Sequence, residues 1–219
     1  EALIEQGRTD VRLSYNTNLS RLKFKKYNVL ELWEQFDHPV NVYSSIDHCE
    51  ERAEYIRSGT KWPDIEKNIK TLLLEPNVNL QISSTVSMLN YTTLEEFYKK
   101  MLSTGLMPGG DWQLNPVSNP AWISVFNLPQ HLKDKGRQGI QNIIEYIRGE
   151  EKIVRMYRKR NYNFEHTVSN IKAFPDLIDS GSIGFETVRP QFVEETKRLD
   201  GLRNENFVEV FPELRELYE

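Results

Sequence analysis

Strand patterns and helix patterns alternate along the first half of the sequence, and this alternation limits the fold more than any other feature. Four segments are rich in β-formers or alternate between apolar and polar residues, as strands do: 11–15, 40–46, 78–86 and 112–117. The segments between them carry apolar side chains at helical spacing: 28–37, 62–74 and 94–103. Because parallel strands need crossover connections of this kind, the sequence predicts an α/β fold with a parallel sheet.

The final third of the sequence shows helical patterns without strands. Residues 123–160 and 187–219 are predicted to be helical, and Pro212 interrupts the second region. We therefore expect two parts, the sheet within residues 1–122 and a mainly helical extension over residues 123–219.

Composition excludes several classes of protein. The net charge of −4 argues against a chain that coats nucleic acid or an anionic membrane, and no apolar run is long enough for a membrane span. The one cysteine, Cys49, excludes a disulfide framework and a multi-thiolate metal site, and it favours a reducing, cytoplasmic location. The sequence begins with Glu1 rather than methionine, so we expect a fragment of a longer protein.

Polar side chains follow each predicted strand, at the edge of the sheet where the ligands of parallel α/β folds gather. They are mostly uncharged: Asn16, Thr17, Asn18, Ser45, Asp47, His48, Ser84, Thr85, Ser87, Asn90, Asn115, Ser118 and Asn119. Such a rim suits a ligand rich in hydroxyl or amide groups. It lacks the paired carboxylates of a glycosidase, and the sequence has no nucleophile elbow, P-loop or dinucleotide-binding glycine motif.

The stretch SSIDHCEERAEYIRSGTKWPDIEKNI, residues 44–69, resembles the fourth-strand region of radical S-adenosylmethionine enzymes of the SPASM/twitch type. That region has Ser-Leu/Ile-Asp-Gly, an arginine, Gly-Thr-aromatic and Asn-Ile in this order, and the matching positions here are Ser45-Ile46-Asp47, Arg57, Gly59-Thr60, Trp62 and Asn68-Ile69. LSYNTNLS, LQISSTVSMLN and LNPVSNPAWISVFNLP are similar to the family's third, fifth and sixth strands. The four segments occur in the family's order and cover most of the chain.

The resemblance implies a partial (βα) TIM-like barrel from its third strand onward, with a helical carboxyl-terminal extension. In this family the serine and the arginine bind S-adenosylmethionine, which implies these roles for Ser45 and Arg57. A serine hydroxyl can bond a ribose hydroxyl, and a guanidinium can hold a carboxylate in a fork. The other matching positions are implied to bind cofactor or substrate: Asp47 and Asn18 the cofactor, and Thr17, Thr85 and Asn90 the substrate.

The resemblance also implies partners that this chain does not hold alone. They are a 4Fe–4S cluster, a small-molecule or peptide substrate, and an electron donor such as flavodoxin or ferredoxin. The family's triple-cysteine motif and its second-strand Gly-Gly-Glu are missing here, and the resemblance implies that both lie upstream of residue 1, so the isolated chain is expected to be inactive. No cysteine follows Cys49 to hold the auxiliary cluster of a twitch domain, and His48 stands where the family often has glycine.

Other interpretations of the same residues remain open. Asp47 could cap the following helix, and Arg57 could belong to a solvated helix face. The four histidines of the chain are typical of surface or turn positions, with His48 set apart by its place on the rim, and Cys49 is typical of a small buried filler.

The segment KIVRMYRKRNYNF, residues 152–164, interleaves cations with aromatic rings. That pattern suits single-stranded nucleic acid, and it also suits a basic helix end paired with acidic neighbours. A non-catalytic α/β protein that binds a ligand or nucleic acid is therefore the alternative to a radical enzyme.

Overall fold

The computed structural model describes residues 1–107, 112–150 and 164–219, so that most of the basic and aromatic segment at 152–164 lies outside the described residues. One parallel sheet contains four strands in the spatial order β1 (Ser14–Thr17), β4 (Val40–Ser45), β5 (Val78–Val86) and β6 (Trp112–Pro116). β2 (Lys23–Phe24) and β3 (Tyr27–Asn28) form a small antiparallel hairpin. The predicted α/β fold with a parallel sheet is confirmed.

Helices make up most of the second half of the described chain. They are α1 (Ala2–Glu5), α2 (Val29–Trp33), α3 (Glu50–Ile56), α4 (Trp62–Leu74), α5 (Leu94–Ser103), α6 (Gln130–Gly149), α7 (Phe164–Asp179), α8 (Phe185–Arg203), α9 (Phe207–Val210) and α10 (Arg215–Tyr218). Helices α4 and α5 have their predicted bounds, whereas α7 lies outside both predicted helical regions. The predicted break of the last helical region at Pro212 is confirmed, because a short 3-10 turn begins there.

Helix α4 illustrates why these segments are helical. Pro63 occupies its first turn, where the missing N–H costs no hydrogen bond. Ile65, Ile69 and Leu72 recur at helical spacing and are buried. Each such side chain contributes about 2 kcal/mol by leaving water. Their burial fixes α4 against β5.

The two faces of the sheet differ sharply in chemistry. On β4, Val40 and Val42 are fully buried while the alternate positions are half-buried. The buried face is covered by α4 and α5, and the rings of Phe97 and Tyr98 lie 5.8 and 5.0 Å from that of Trp112. The helices therefore pack on the apolar face and leave the polar positions on the other.

The helices after β6 extend the same core. Helix α6 packs against α5 and α7, and α8 packs against the turn at 121–123 and against α10. One continuous cluster of buried side chains runs from Leu19 to Leu217. The boundary expected between residues 122 and 123 stays a prediction. None of the helices among the described residues combines the length and the apolar character that crossing a membrane requires.

Candidate functional site

One face of the sheet carries only neutral polar side chains at the positions that alternate with the core. We call this set the polar face, and it comprises Ser14, Asn16, Asn41, Tyr43, Ser45, Asn79, Gln81, Ser83, Thr85, Gln113 and Asn115. Every member is half-buried or exposed. Two bonds join neighbouring strands across it, from Asn79 to Asn41 and from Asn115 to Ser83. The face therefore offers amides and hydroxyls to a ligand without a fixed charge among its members.

An ion pair stands at the carboxyl end of the polar face. The guanidinium of Arg57 donates from Nε and Nη2 to the two carboxylate oxygens of Asp47, at 2.8 and 3.1 Å. Asp47 Oδ1 also accepts from the backbone N–H of Thr85 at 2.7 Å. The Asp47 side chain is only 4% exposed, whereas that of Arg57 is 31% exposed. Asp47 thus holds the guanidinium in one orientation, and solvent still reaches part of it.

The loops around this pair are fixed by local bonds. Helix α3 ends at Ile56, and Gly59 adopts a left-handed φ of 87°, which lets the chain turn back. The hydroxyl of Thr60 then donates to the carbonyl of Arg57 at 2.7 Å. Because Thr60 is buried, this bond sets the backbone from which the Arg57 side chain projects.

Asn90 joins the loops that follow β4 and β5. Its side-chain amide donates to the carbonyls of Asp47 and Thr85 at 3.0 and 2.9 Å and accepts from the backbone N–H of Ser87 at 2.8 Å. The side chain is fully buried. Asn90 therefore stabilises the turn that carries Asp47. Contact between Asn90 and a substrate stays a prediction.

Ser45 and Thr85 lie on the polar face beside this turn. The Arg57 Nη2 is 3.5 Å from the Thr85 hydroxyl, so the guanidinium reaches the face itself. Ser45 is opposite Ser83 in the sheet, and its hydroxyl makes no hydrogen bond with the described residues. The structure therefore brings together four of the seven predicted site residues, and places Ser45 next to them.

The two remaining residues, Thr17 and Asn18, form hydrogen bonds within the turn at the end of β1. The Thr17 hydroxyl accepts from the backbone N–H of Leu19, and the Asn18 carbonyl oxygen accepts from the N–H and hydroxyl of Ser20. Asn68 of α4 donates to the Leu19 carbonyl at 2.7 Å and fastens the turn to the core. The proposed roles of Thr17 and Asn18 in binding stay predictions.

His48 lies behind the site and not on the surface. It is 2% exposed, and its ring centroid is 5.6 Å from that of Phe97. Burial, together with the nearby charge of Arg52, lowers the pKa of His48 to about 4. Nδ1 accepts from the backbone N–H of Cys49 at 2.9 Å, so the neutral ring carries its proton on Nε2. The sequence set His48 apart by its place on the rim, and the structure places it in the loop after β4 with its side chain buried.

Cys49 is buried, as expected for a filler. Burial raises the pKa of its thiol to about 12, which leaves it protonated and unreactive at neutral pH. Among the described residues, no group of three histidine, cysteine, aspartate or glutamate side chains is arranged to hold a metal ion.

The polar face was not identified as a unit from the sequence, although its signal is visible there. In NVYSS, LQISST and WQLNP, every second residue is an amide, a hydroxyl or a phenol. The predicted rim comprises the residues that follow each strand, so it did not include this set along the strands.

A comparison of the chain with protein-family models, with curated proteins and with solved structures finds no match.

Proposed function

We propose that this chain is part of a radical S-adenosylmethionine enzyme, in which the sheet forms part of a (βα) barrel and the polar face lines its interior. The observation that carries the proposal is the bidentate pair of Asp47 and Arg57, beside Ser45 and Thr85, at the carboxyl ends of β4 and β5. A guanidinium that is oriented by a buried carboxylate and still partly exposed is suited to bind a second carboxylate.

Arg57 would hold the carboxylate of the methionine portion, because its Nη1 makes no hydrogen bond with the described residues. The Ser45 hydroxyl, also unpaired among them, would bond a ribose hydroxyl. Asp47 would orient the guanidinium, and Asn90 would hold the turn that carries Asp47. These tasks are binding and orientation, and they need no proton transfer by the described residues.

The cofactor itself supplies the reaction. When bound and reduced by one electron, S-adenosylmethionine would supply the radical chemistry that takes a hydrogen atom from the substrate, and the residues of this chain would bind and orient it. The polar face would hold that substrate, a small molecule or a peptide, through amide and hydroxyl groups.

The residues of this chain do not fit a 4Fe–4S cluster. The chain has one cysteine. Burial raises the pKa of that thiol to about 12, which opposes the thiolate form that iron requires. The proposal therefore requires cysteines from polypeptide outside these 219 residues, and we assign no step at a cluster to the described residues. A cytoplasmic location belongs to the same proposal, since such clusters need reducing conditions.

Binding of S-adenosylmethionine to the protein made from the complete gene, measured by calorimetry without oxygen, tests the clamp. Arg57→Ala should weaken binding by about 100-fold, because a charge-assisted hydrogen-bond pair is lost. Arg57→Lys should recover only part of this, since an ammonium lacks the fork. Ser45→Ala should weaken binding by about 5-fold, the value of one neutral hydrogen bond. Exposed Ser103→Ala and Arg215→Ala are matched controls and should change nothing.

The same protein, reconstituted with iron and sulfide and reduced with dithionite, should release 5′-deoxyadenosine. If no nucleoside forms despite an intact cluster spectrum, the enzyme proposal is wrong and the polar face is left as a site for non-catalytic ligand binding. If the nucleoside forms but Arg57→Ala binds the cofactor normally, the assignment of the clamp is wrong.

A further inference from the structure

An apolar groove lies at the carboxyl end of β1, between that strand, the β2–β3 hairpin and α2. Its volume is about 400 Å³, which is within the range of small-molecule sites. Most of the side chains that line it are apolar, and four of them carry aromatic rings: Tyr15, Phe24, Tyr27 and Trp33. A groove of this size and composition is suited to a small organic molecule.

The walls of the groove are held in place by contacts within the chain. The Tyr15 ring stacks on the buried Trp33 ring, with centroids 5.5 Å apart and planes inclined by 29°. The backbone N–H of Val29 donates to the Leu22 carbonyl at 3.0 Å, which ties the hairpin to the start of α2. Leu19, which also lines the groove, is fully buried in the turn after β1. A ligand would therefore enter a groove that is already formed, and little ordering would oppose its binding.

Two of the four rings remain open to solvent. Phe24 is 66% exposed and Tyr15 is 43% exposed, although both line the groove. The Lys25 ammonium lies 5.5 Å from the Phe24 ring centre, but Lys25 does not line the groove. An apolar ligand in the groove would cover part of both rings, and each ring offers a large, rigid apolar area for contact.

The charged side chains that line the groove are positive. Arg21 and Lys23 are exposed, and neither forms an ion pair with any described residue. No aspartate or glutamate of the described residues lines the groove, and Glu1 hydrogen-bonds to the Tyr27 hydroxyl from outside it. Two cations without partners, in a chain of net charge −4, complement a negative group on the ligand.

We propose that the groove binds a small aromatic carboxylate, with its ring system among the four aromatic side chains and its carboxylate at Arg21 and Lys23. A flat aromatic body is favoured over an aliphatic chain, because aromatic pairs gain from offset or edge-to-face contact beyond the burial of area. A guanidinium matches a carboxylate in its fork geometry. The inference is independent of the proposed function, since neither Arg57 nor Ser45 lines this groove.

An acidic peptide or protein is the other ligand that a basic and apolar surface could bind. A specific protein interface involves about 20 to 30 residues on each side, many more than line this groove. The volume is instead that of a single compact ligand. The small molecule is therefore the occupant that the dimensions of the groove favour.

Calorimetric titration of the protein made from the complete gene with 2-naphthoate tests the proposal. This bicyclic carboxylate should bind with a Kd below about 1 mM, the value expected for a ligand of its size. The neutral 2-naphthamide has the same rings without the charge, and it should bind about 10-fold more weakly. Acetate has the charge without the rings and should not bind. Absence of 2-naphthoate binding, or equal affinity for 2-naphthoate and 2-naphthamide, would overturn the proposal.

Three variants locate the ligand within the molecule. Arg21→Gln/Lys23→Gln should lower the affinity for 2-naphthoate about 10-fold and leave that for 2-naphthamide unchanged. Phe24→Ser, at an exposed ring, should lower the affinity for both about 5-fold, because apolar contact is lost. Lys135→Gln/Arg215→Gln removes two exposed cations elsewhere and should change neither affinity. Wild-type affinity for 2-naphthoate in the first variant would place the carboxylate elsewhere and contradict the assignment.

Arg57 is the other candidate carboxylate ligand of this chain, and Arg57→Ala separates the two sites. Binding of 2-naphthoate should be unchanged in Arg57→Ala, and its loss would place the molecule at Arg57 and overturn the proposal. Binding of S-adenosylmethionine should be unchanged in Phe24→Ser, so failure of the groove and failure of the proposed function are seen separately. Tighter binding of an acidic tryptophan-containing peptide than of 2-naphthoate, weakened by Phe24→Ser, would make the groove a peptide site and overturn the proposal.

Discussion

His48 shows how a residue beside the site acts on the stability of the protein. It occupies the position after Asp47, where its ring is buried with its centroid 5.6 Å from that of Phe97. Desolvation is the main cause of its lowered pKa; the Arg52 charge acts in the same direction, and the backbone of Cys49 and Thr93 opposes the shift. The ring is therefore stable in the folded protein only in its neutral form.

We expect this histidine to make the protein sensitive to mild acid. Its pKa is about 4 when folded against 6.5 for a free histidine, so the unfolded chain takes up a proton first as the pH falls below 6.5. Stability is then lost between pH 6.5 and 4, by about 2 kcal/mol at pH 5. Urea unfolding of the wild type and of His48→Gln at pH 7.5 and pH 5 measures the difference. His38→Gln is the control and should behave as the wild type does. An equal pH dependence in the wild type and His48→Gln would contradict the lowered pKa.

Elements with a strong local pattern could be predicted from the sequence, and those shaped by tertiary contacts could not. Helices α4 and α5 and strand β5 have their predicted bounds because the spacing of their apolar residues matches the helical or the strand period. Helix α7, which carries Pro175 inside it, lies outside both predicted helical regions and was missed. The site divides in the same way: Asp47 and Arg57 were predicted, but the buried role of Asn90 depends on two carbonyls that only the fold brings near it.

The packing of α6 rests on one glycine. A Cβ at Gly136 would lie 2.4 Å from the buried Tyr91 ring, whereas one at Gly139 would have its nearest neighbour at 3.6 Å. Gly139→Ala should therefore stabilise the protein by about 1 kcal/mol through helix propensity. Gly136→Ala gains the same propensity but forces the Tyr91 ring to move, and should destabilise by about 2 kcal/mol. Thermal unfolding of both variants tests this, and similar Tm shifts would show that α6 does not contact Tyr91 so closely.

At the scale of the whole molecule, the two faces of the sheet have different roles. Its buried face binds the helices through valines, isoleucines and aromatic rings, and its polar face and carboxyl-end turns hold the candidate site. The carboxyl-terminal helices contribute to the site only indirectly. Arg203 of α8 donates to the carbonyl of Tyr55 in α3, and Arg52 pairs with Glu213, so this part of the chain fixes the helix that ends at Ile56, next to Arg57.

This arrangement predicts that the expected sheet part and helical extension unfold together. The Tyr55 hydroxyl donates to Asp200 at 2.7 Å, and Asp200 also accepts from the backbone N–H of Phe207 at 2.9 Å, so one half-buried carboxylate joins α3 to the last helices. Trp33, Trp62 and Trp112 lie in the sheet part, and only Trp122 has its ring near α8, 6.4 Å from that of Phe192, so tryptophan fluorescence is weighted toward the sheet part and far-ultraviolet circular dichroism toward the helices. The two urea transitions should coincide.

Tyr55→Phe removes the hydroxyl and leaves Asp200 with one fewer donor, which should cost about 2 kcal/mol. Both probes should move by the same amount, because the core is continuous between the two parts. Tyr15→Phe, at an exposed ring without a hydrogen bond to the described residues, is the control and should leave both transitions unchanged. A dichroism transition that separates from the fluorescence transition, or that moves alone in Tyr55→Phe, would show two independent domains. In that case the carboxyl-terminal helices could not be what fixes Arg57, and the orientation of its guanidinium would depend on Asp47, Thr60 and Asn90 alone.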